Sequence, residues 1–124
     1  MKDPASPVCR TISTLLSRIG DKWTVLVVSA LANGPKRFNQ LRREIPSVSQ
    51  RMLTLTLRNL ERDGLVSRKV TPSIPPRVDY ALTDLGHSLQ EPVLALAAWA
   101  LDHVEQIHAA QSRFDAEHDK AEAA

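Results

Sequence analysis

The chain has one cysteine among 124 residues, only 4% aromatic residues, and no uncharged run near the roughly 20 apolar residues that a membrane span needs. One cysteine excludes an intramolecular disulfide, which fits a reducing cytoplasm. The first residues hold Lys2, Asp3, Pro4 and Pro7 with no apolar run, so no secretion signal is expected. Also missing are a Gly-rich phosphate loop, a nucleophile paired with a base, and paired carboxylates at a strand end. An enzyme is therefore not expected. The four histidines give no metal site. His103 and His108 fall on different faces of a helix, and no Cys, Asp or Glu completes a ligand set. No cofactor is expected. At this length one domain with one core is the natural arrangement.

Acid is what the middle of the chain lacks. From Lys36 to Arg77 ten Lys/Arg stand against three Asp/Glu, a net of +7. From Asp79 to Ala124 two stand against nine, a net of −7. The overall charge of +2 hides this division. A strongly basic segment of this kind suits a polyanionic duplex.

The hydrophobic pattern divides the chain further. Residues 1–8 read as an extended arm, held open by Pro4 and Pro7. Ile12, Leu15, Leu16 and Ile19 recur at helical spacing, which predicts a helix over 9–20 that Gly20 ends. Asp21 is placed to cap a short, nearly all-apolar helix from Trp23 to Ala32, and Asn33-Gly34-Pro35 breaks it. Lys36-Arg37-Phe38 suits a small edge strand. Asn39–Ile45 reads as a short helix with Leu41 and Ile45 inward and Arg42 and Arg43 outward. Ser49 is a good N-cap for a helix running to Asp63, with Val48 and Leu53 at the hydrophobic-staple positions. On that helix Leu53, Leu57 and Leu60 share one side, and Arg51, Arg58 and Arg62 the other, with Thr54 flanking and Leu55 among the arginines. Leu65–Thr71 and Arg77–Leu82 read as two strands, with Val66, Val70, Val78, Tyr80 and Leu82 inward and Arg68 and Arg77 outward. The proline-rich link 72–76 should project as a stiff loop. Thr83 can cap the final helical region, over 83–110, in which Pro92 should kink or restart the helix. After Pro92, Val93, Leu96, Ala100, Val104 and Ile107 form one stripe and Leu94, Ala98 and Leu101 lie beside it. So wide an apolar surface asks for two neighbours. Trp23 and Trp99 read as core residues, with Trp99 an alternative wall for a small apolar pocket.

This order predicts a mainly α fold with a small β-hairpin (α+β): a helix-turn-helix over 36–64 followed by a two-stranded wing over 65–82. Each arginine taken alone reads as a solvated surface residue. Their concentration on one motif favours phosphate and base contacts. Ser49, Gln50, Arg51, Thr54, Leu55 and Arg58 are expected nearest the base edges. Arg37, Asn39, Arg42 and Arg43 are expected on the DNA backbone, and Arg68, Lys69, Pro75, Pro76 and Arg77 on the wing. Arg62 sits too near the helix end to reach bases. The rival reading is a winged-helix module that binds protein, which would show apolar or mixed residues where this chain shows three arginines.

Six runs, in order and without gaps, resemble the HxlR-type transcriptional regulators, a family related to the MarR group. They are Ile19-Gly20-Asp21-Lys22-Trp23-Thr24, Gly34-Pro35-Lys36-Arg37-Phe38-Asn39-Gln40-Leu41-Arg42, Ser49-Gln50-Arg51-Met52-Leu53, Leu60-Glu61-Arg62-Asp63-Gly64-Leu65-Val66, Pro75-Pro76-Arg77-Val78-Asp79-Tyr80 and Leu82-Thr83-Asp84-Leu85-Gly86. The resemblance implies a bacterial, cytoplasmic homodimer that binds a double-stranded DNA operator. In it the helix 49–63 would enter the major groove, the wing would lie along the backbone or minor groove, and the first and last helices would pair the subunits. A small-molecule effector is a further expected partner. The resemblance also shows a departure. Family members that sense oxidants carry a cysteine just before the Pro-Val near the N-terminus, where this chain has Ser6 ahead of Pro7-Val8. The lone thiol is Cys9, in the expected first helical turn. A helix N-terminus and the adjacent Arg10 favour a reactive thiol there, and packing is the plainer role. With one cysteine per chain, redox sensing would be restricted to an intersubunit or mixed disulfide.

Overall fold

The structure, a computed structural model, describes residues 6–123, so residues 1–5 of the expected arm lie outside the described residues. The remainder of that arm is helical. Ser6 is the N-cap of α1 (Pro7–Ile19), its hydroxyl accepting the Cys9 N–H at 3.1 Å. Pro7 occupies the first helical position, where its fixed φ and missing N–H cost nothing. The helix therefore begins two residues before the expected start at Cys9. Gly20 ends it, and Asp21 caps α2 (Lys22–Leu31) by accepting from the N–H groups of Trp23 and Thr24.

α3 (Phe38–Glu44) and α4 (Gln50–Arg62) follow. Ser49 caps α4 as expected, accepting the Met52 N–H at 3.0 Å. Val48 and Leu53 are both buried, as a staple requires. Asp63 closes α4, and Gly64 adopts φ 77°, a left-handed turn that favours glycine.

β1 (Val66–Thr71) and β2 (Arg77–Leu82) form an antiparallel pair, with Val66 opposite Leu82, Arg68 opposite Tyr80 and Val70 opposite Val78. Two expectations change here. Side chains alternate with period two, so Arg68 shares the face of Val66 and Val70 and not the opposite one. Val70 is 48% exposed because that face continues past the core toward the wing tip. The edge strand expected at 36–38 is a single bridge: Lys36 and Tyr80 exchange both backbone hydrogen bonds at 2.9 Å, and Phe38 already belongs to α3.

α5 (Asp84–Ala123) starts at Thr83, whose hydroxyl accepts the Gly86 N–H at 3.1 Å. The helix passes through Pro92 without interruption, so proline neither ends nor restarts it. It also runs on from 110 through the alanine-rich segment, whose helix formers carry it forward.

The chain divides into two compact units, one ending at Val93 and the other beginning at Leu94. The first holds the core. Val27, Val28 and Leu31 of α2 meet Leu41 of α3, Leu53, Leu57 and Leu60 of α4, and Val66 and Leu82 of the hairpin. The second is the remainder of α5. There Leu96, Trp99, Leu101 and Phe114 are exposed. Trp99 is thus not a core residue of the chain, unlike Trp23, which packs against the core cluster. Trp99 instead stacks on His103 with ring centroids 4.5 Å apart.

Candidate nucleic-acid interface

α4 has a sharply divided surface. Leu53, Thr56, Leu57 and Leu60 are buried, and Gln50, Arg51, Thr54, Leu55 and Arg58 are exposed. The buried face is fixed by the leucine spacing, and the period of 3.6 then forces the arginines outward. Leu55, half exposed, lines a small cleft with Thr14 and Ser17 of α1 as well as Met52. Thr54 donates its hydroxyl to the Gln50 carbonyl at 2.8 Å, leaving its oxygen lone pairs outward as acceptors.

The second part of the surface is a cleft of about 960 Å³ between the start of α3 and the wing. Arg37, Asn39 and Arg43 line one wall, and Pro75, Pro76 and Arg77 the other. The two walls are pinned together at their base by the Lys36–Tyr80 backbone pair. Gln40 holds the first turn of α3, its side-chain oxygen accepting the Arg37 N–H at 3.2 Å. Arg77 is oriented by Asp79, its Nε donating to the carboxylate at 3.0 Å. That bond leaves the two terminal nitrogens of the guanidinium for another acceptor. Among the described residues, Arg37, Arg42, Arg43, Arg51, Arg58, Arg68 and Lys69 form no ion pair. Uncompensated cations on neighbouring elements make an anion-binding surface.

Not every expected residue belongs to this cleft. Arg42, Arg68 and Lys69 are exposed but do not line it. Arg62 lines a different cleft, beside α1. Cys9, 8% exposed, is buried on α1 and lines neither cleft. Sequence reasoning missed Lys36, Gln40 and Asp79. Gln40 had a local signal, the Gln three residues after a helix N-cap. Asp79 also had one, since it lies two positions from Arg77 on the same face of β2, whereas Lys36 had none, because it acts across the Lys36–Tyr80 junction.

Residues 18–108 match the HxlR-like helix-turn-helix family. The chain belongs to that family. It is 40% identical over 107 residues to the uncharacterized HTH-type transcriptional regulator YdeP of Bacillus subtilis, covering 84% of each chain. Among solved structures it resembles the putative transcriptional regulator ytfH of Salmonella typhimurium, with a TM-score of 0.76 and 38% identity. That match covers 82% of this chain and 90% of the other. It also resembles the redox regulator HypR in its reduced form, with a TM-score of 0.74 and 40% identity over 80% of this chain and 98% of that one. The fold is a winged helix-turn-helix, in which α3 and α4 are the helix pair and the β1–β2 hairpin is the wing.

Proposed function

We propose that this chain is a cytoplasmic homodimeric transcriptional regulator that reads a pseudo-palindromic DNA operator. In this reading α4 lies in the major groove and presents Gln50, Arg51, Thr54 and Arg58 to base edges. The cleft between α3 and the wing takes the sugar-phosphate backbone, held by Arg37, Asn39, Arg43 and Arg77, with Arg42 outside it. Arg68 and Lys69 add charge along the wing. The observation that carries the reading is the set of exposed arginines on α3, α4 and the wing without carboxylate partners among the described residues. A protein-binding version is expected to carry apolar or mixed residues there.

Dimerisation rests on apolar surface left uncovered in the single chain. Val8 is 67% exposed on α1 and Leu101 is 77% exposed on α5. Leu15, Leu16, Leu96 and Trp99 are exposed on the same two helices. A second copy would cover them, and a pseudo-palindromic operator then asks for two α4 helices about 34 Å apart, one turn of duplex. Sedimentation at micromolar concentration should give the mass of two chains, and a single-chain mass of 13.7 kDa would remove the dimer. A small-molecule effector remains compatible with this arrangement. Redox control, the property that HypR carries in its name, would here run through Cys9 alone.

The direct test is binding to the DNA upstream of the chain's own coding sequence, at two salt concentrations, against a random duplex of equal length. Tight binding that prefers the upstream DNA and weakens steeply with salt is expected. Equal, weak binding to both would reduce the basic face to a general DNA-affinity patch.

A further inference from the structure

The turn that ends α4 is where α1 and α5 both touch it. Asp63 is the C-cap of α4, Gly64 makes the left-handed turn and Leu65 leads into β1. From the cap just before α5, the Thr83 hydroxyl donates to the Gly64 carbonyl at 2.6 Å and the Thr83 N–H donates to the Leu65 carbonyl at 3.1 Å. From α1, Arg18 Nη1 lies 2.9 Å from both carboxylate oxygens of Asp63. The two side chains are 26% and 17% exposed, so the pair is shielded from much of the solvent.

Asp63 does not serve its own helix. A carboxylate at a helix C-terminus faces the negative end of the helix dipole and is unfavourable there. It lines a cleft of about 320 Å³ with Arg10, Arg18 and Arg62, one acid among three arginines. The acid therefore works across the gap to α1. A charge-assisted contact of this kind fixes direction as well as distance.

We propose that Arg18 is a positioning residue for DNA reading: its ion pair with Asp63 sets the C-terminal end of α4 against α1, and so the angle at which α4 meets a groove. The inference rests on the reading of α4 as the recognition helix. It adds that α1, one of the helices assigned to dimerisation, and Thr83, the cap of α5, hold the end of α4 at one corner. Base contacts depend on that angle. Phosphate contacts tolerate its loss, because the counterion-release term has little directional demand.

The test uses full-length protein and two duplexes of equal length, one selected by the wild-type chain from a randomised pool and one random. Arg18→Ala is expected to lower the preference for the selected duplex by about tenfold. Affinity for the random duplex and the salt dependence should stay as in the wild type. The exchange Arg18→Asp with Asp63→Arg should recover most of the preference, since it restores the pair with reversed polarity. Arg18→Lys, which keeps the charge without the planar fork, should give an intermediate loss and serves if the alanine variant does not fold. An undiminished preference in Arg18→Ala and Arg18→Lys would overturn the proposal. So would an equal loss on both duplexes, which would make Arg18 a phosphate contact. A wild-type chain that selects no sequence would instead sink the reading of α4, a result distinct from a loss confined to the Arg18 variants.

Discussion

Gly86→Ala should destabilise the protein by about 3 kcal/mol or more, the upper range for forcing an extra carbon into a packed site. A Cβ at position 86 would lie 2.0 Å from the Leu65 carbonyl oxygen, 3.1 Å from its carbon and 3.2 Å from a Leu82 methyl. Two of those atoms are backbone, and they cannot swing aside as a side-chain tip would. Leu65 is also held on both sides: its N–H donates to the Leu60 carbonyl at 2.9 Å and its carbonyl accepts from Thr83. Relief would mean lifting the first turn of α5 off the corner or pulling β1 out of register. Against a total stability of roughly 5–15 kcal/mol the loss is large. Thermal unfolding should fall by about 10 °C or more for a domain of this size. His87→Ala, one residue on and exposed, should change stability by less than about 0.5 kcal/mol. A Gly86→Ala melting temperature equal to that of the His87 variant would mean that α5 can leave the corner freely. The close approach would then hold nothing in place.

What the sequence made legible follows the range of each interaction. α4 was readable because its determinants lie within a few residues of one another: the Ser49 cap, the Val48–Leu53 staple and the leucine period. Asp21 and Thr83 were readable as caps for the same reason. The start of α1 went wrong although its signal was local. Ser6 followed by Pro7 is a cap and first-position pair, and two prolines in four residues drew it toward an extended arm. Of the two outcomes expected at Pro92, a restart does not occur, because the helix formers on both sides of it carry the helix through. Arg68 shows a different failure. The inward valines were chosen by residue type, whereas strand parity puts Val66, Arg68 and Val70 on one face.

The candidate site divides along the same line. The basic segment was visible as charge, and its arginines on α4 as a helical face. That Arg37 and Arg43 share a cleft with Arg77 was not visible, since the tertiary Lys36–Tyr80 pairing brings the wing back onto the start of α3. The Arg18–Asp63 pair was likewise beyond reach. It joins α1 to the end of α4 across 45 positions, and nothing local marks either residue. Local physics therefore predicts which surface is basic, and tertiary pairing decides which of its cations act together.

The largest functional loss should come from the outward face of α4. Replacing Arg51 and Arg58 together by alanine removes two candidate base contacts from each subunit. A bidentate base contact is worth about 1–3 kcal/mol of discrimination. With two per half-site and two half-sites, operator affinity should fall by at least about a thousandfold, into the range that separates specific from non-specific binding. Stability should hardly change, because both side chains are exposed and neither has an ion-pair partner among the described residues. The random duplex is the decisive comparison. Its affinity should drop far less, because Arg37, Arg43 and Arg77 still hold the backbone. Arg43→Ala should behave the other way, weakening both duplexes alike and lowering the salt slope by about one per lost phosphate contact. The two patterns cannot both come from a uniform basic patch. If the α4 double variant instead lost affinity equally on both duplexes with a shallower salt slope, its arginines would be phosphate ligands. Sequence reading would then have to come from the Ser49–Gln50 end of the helix or from the wing.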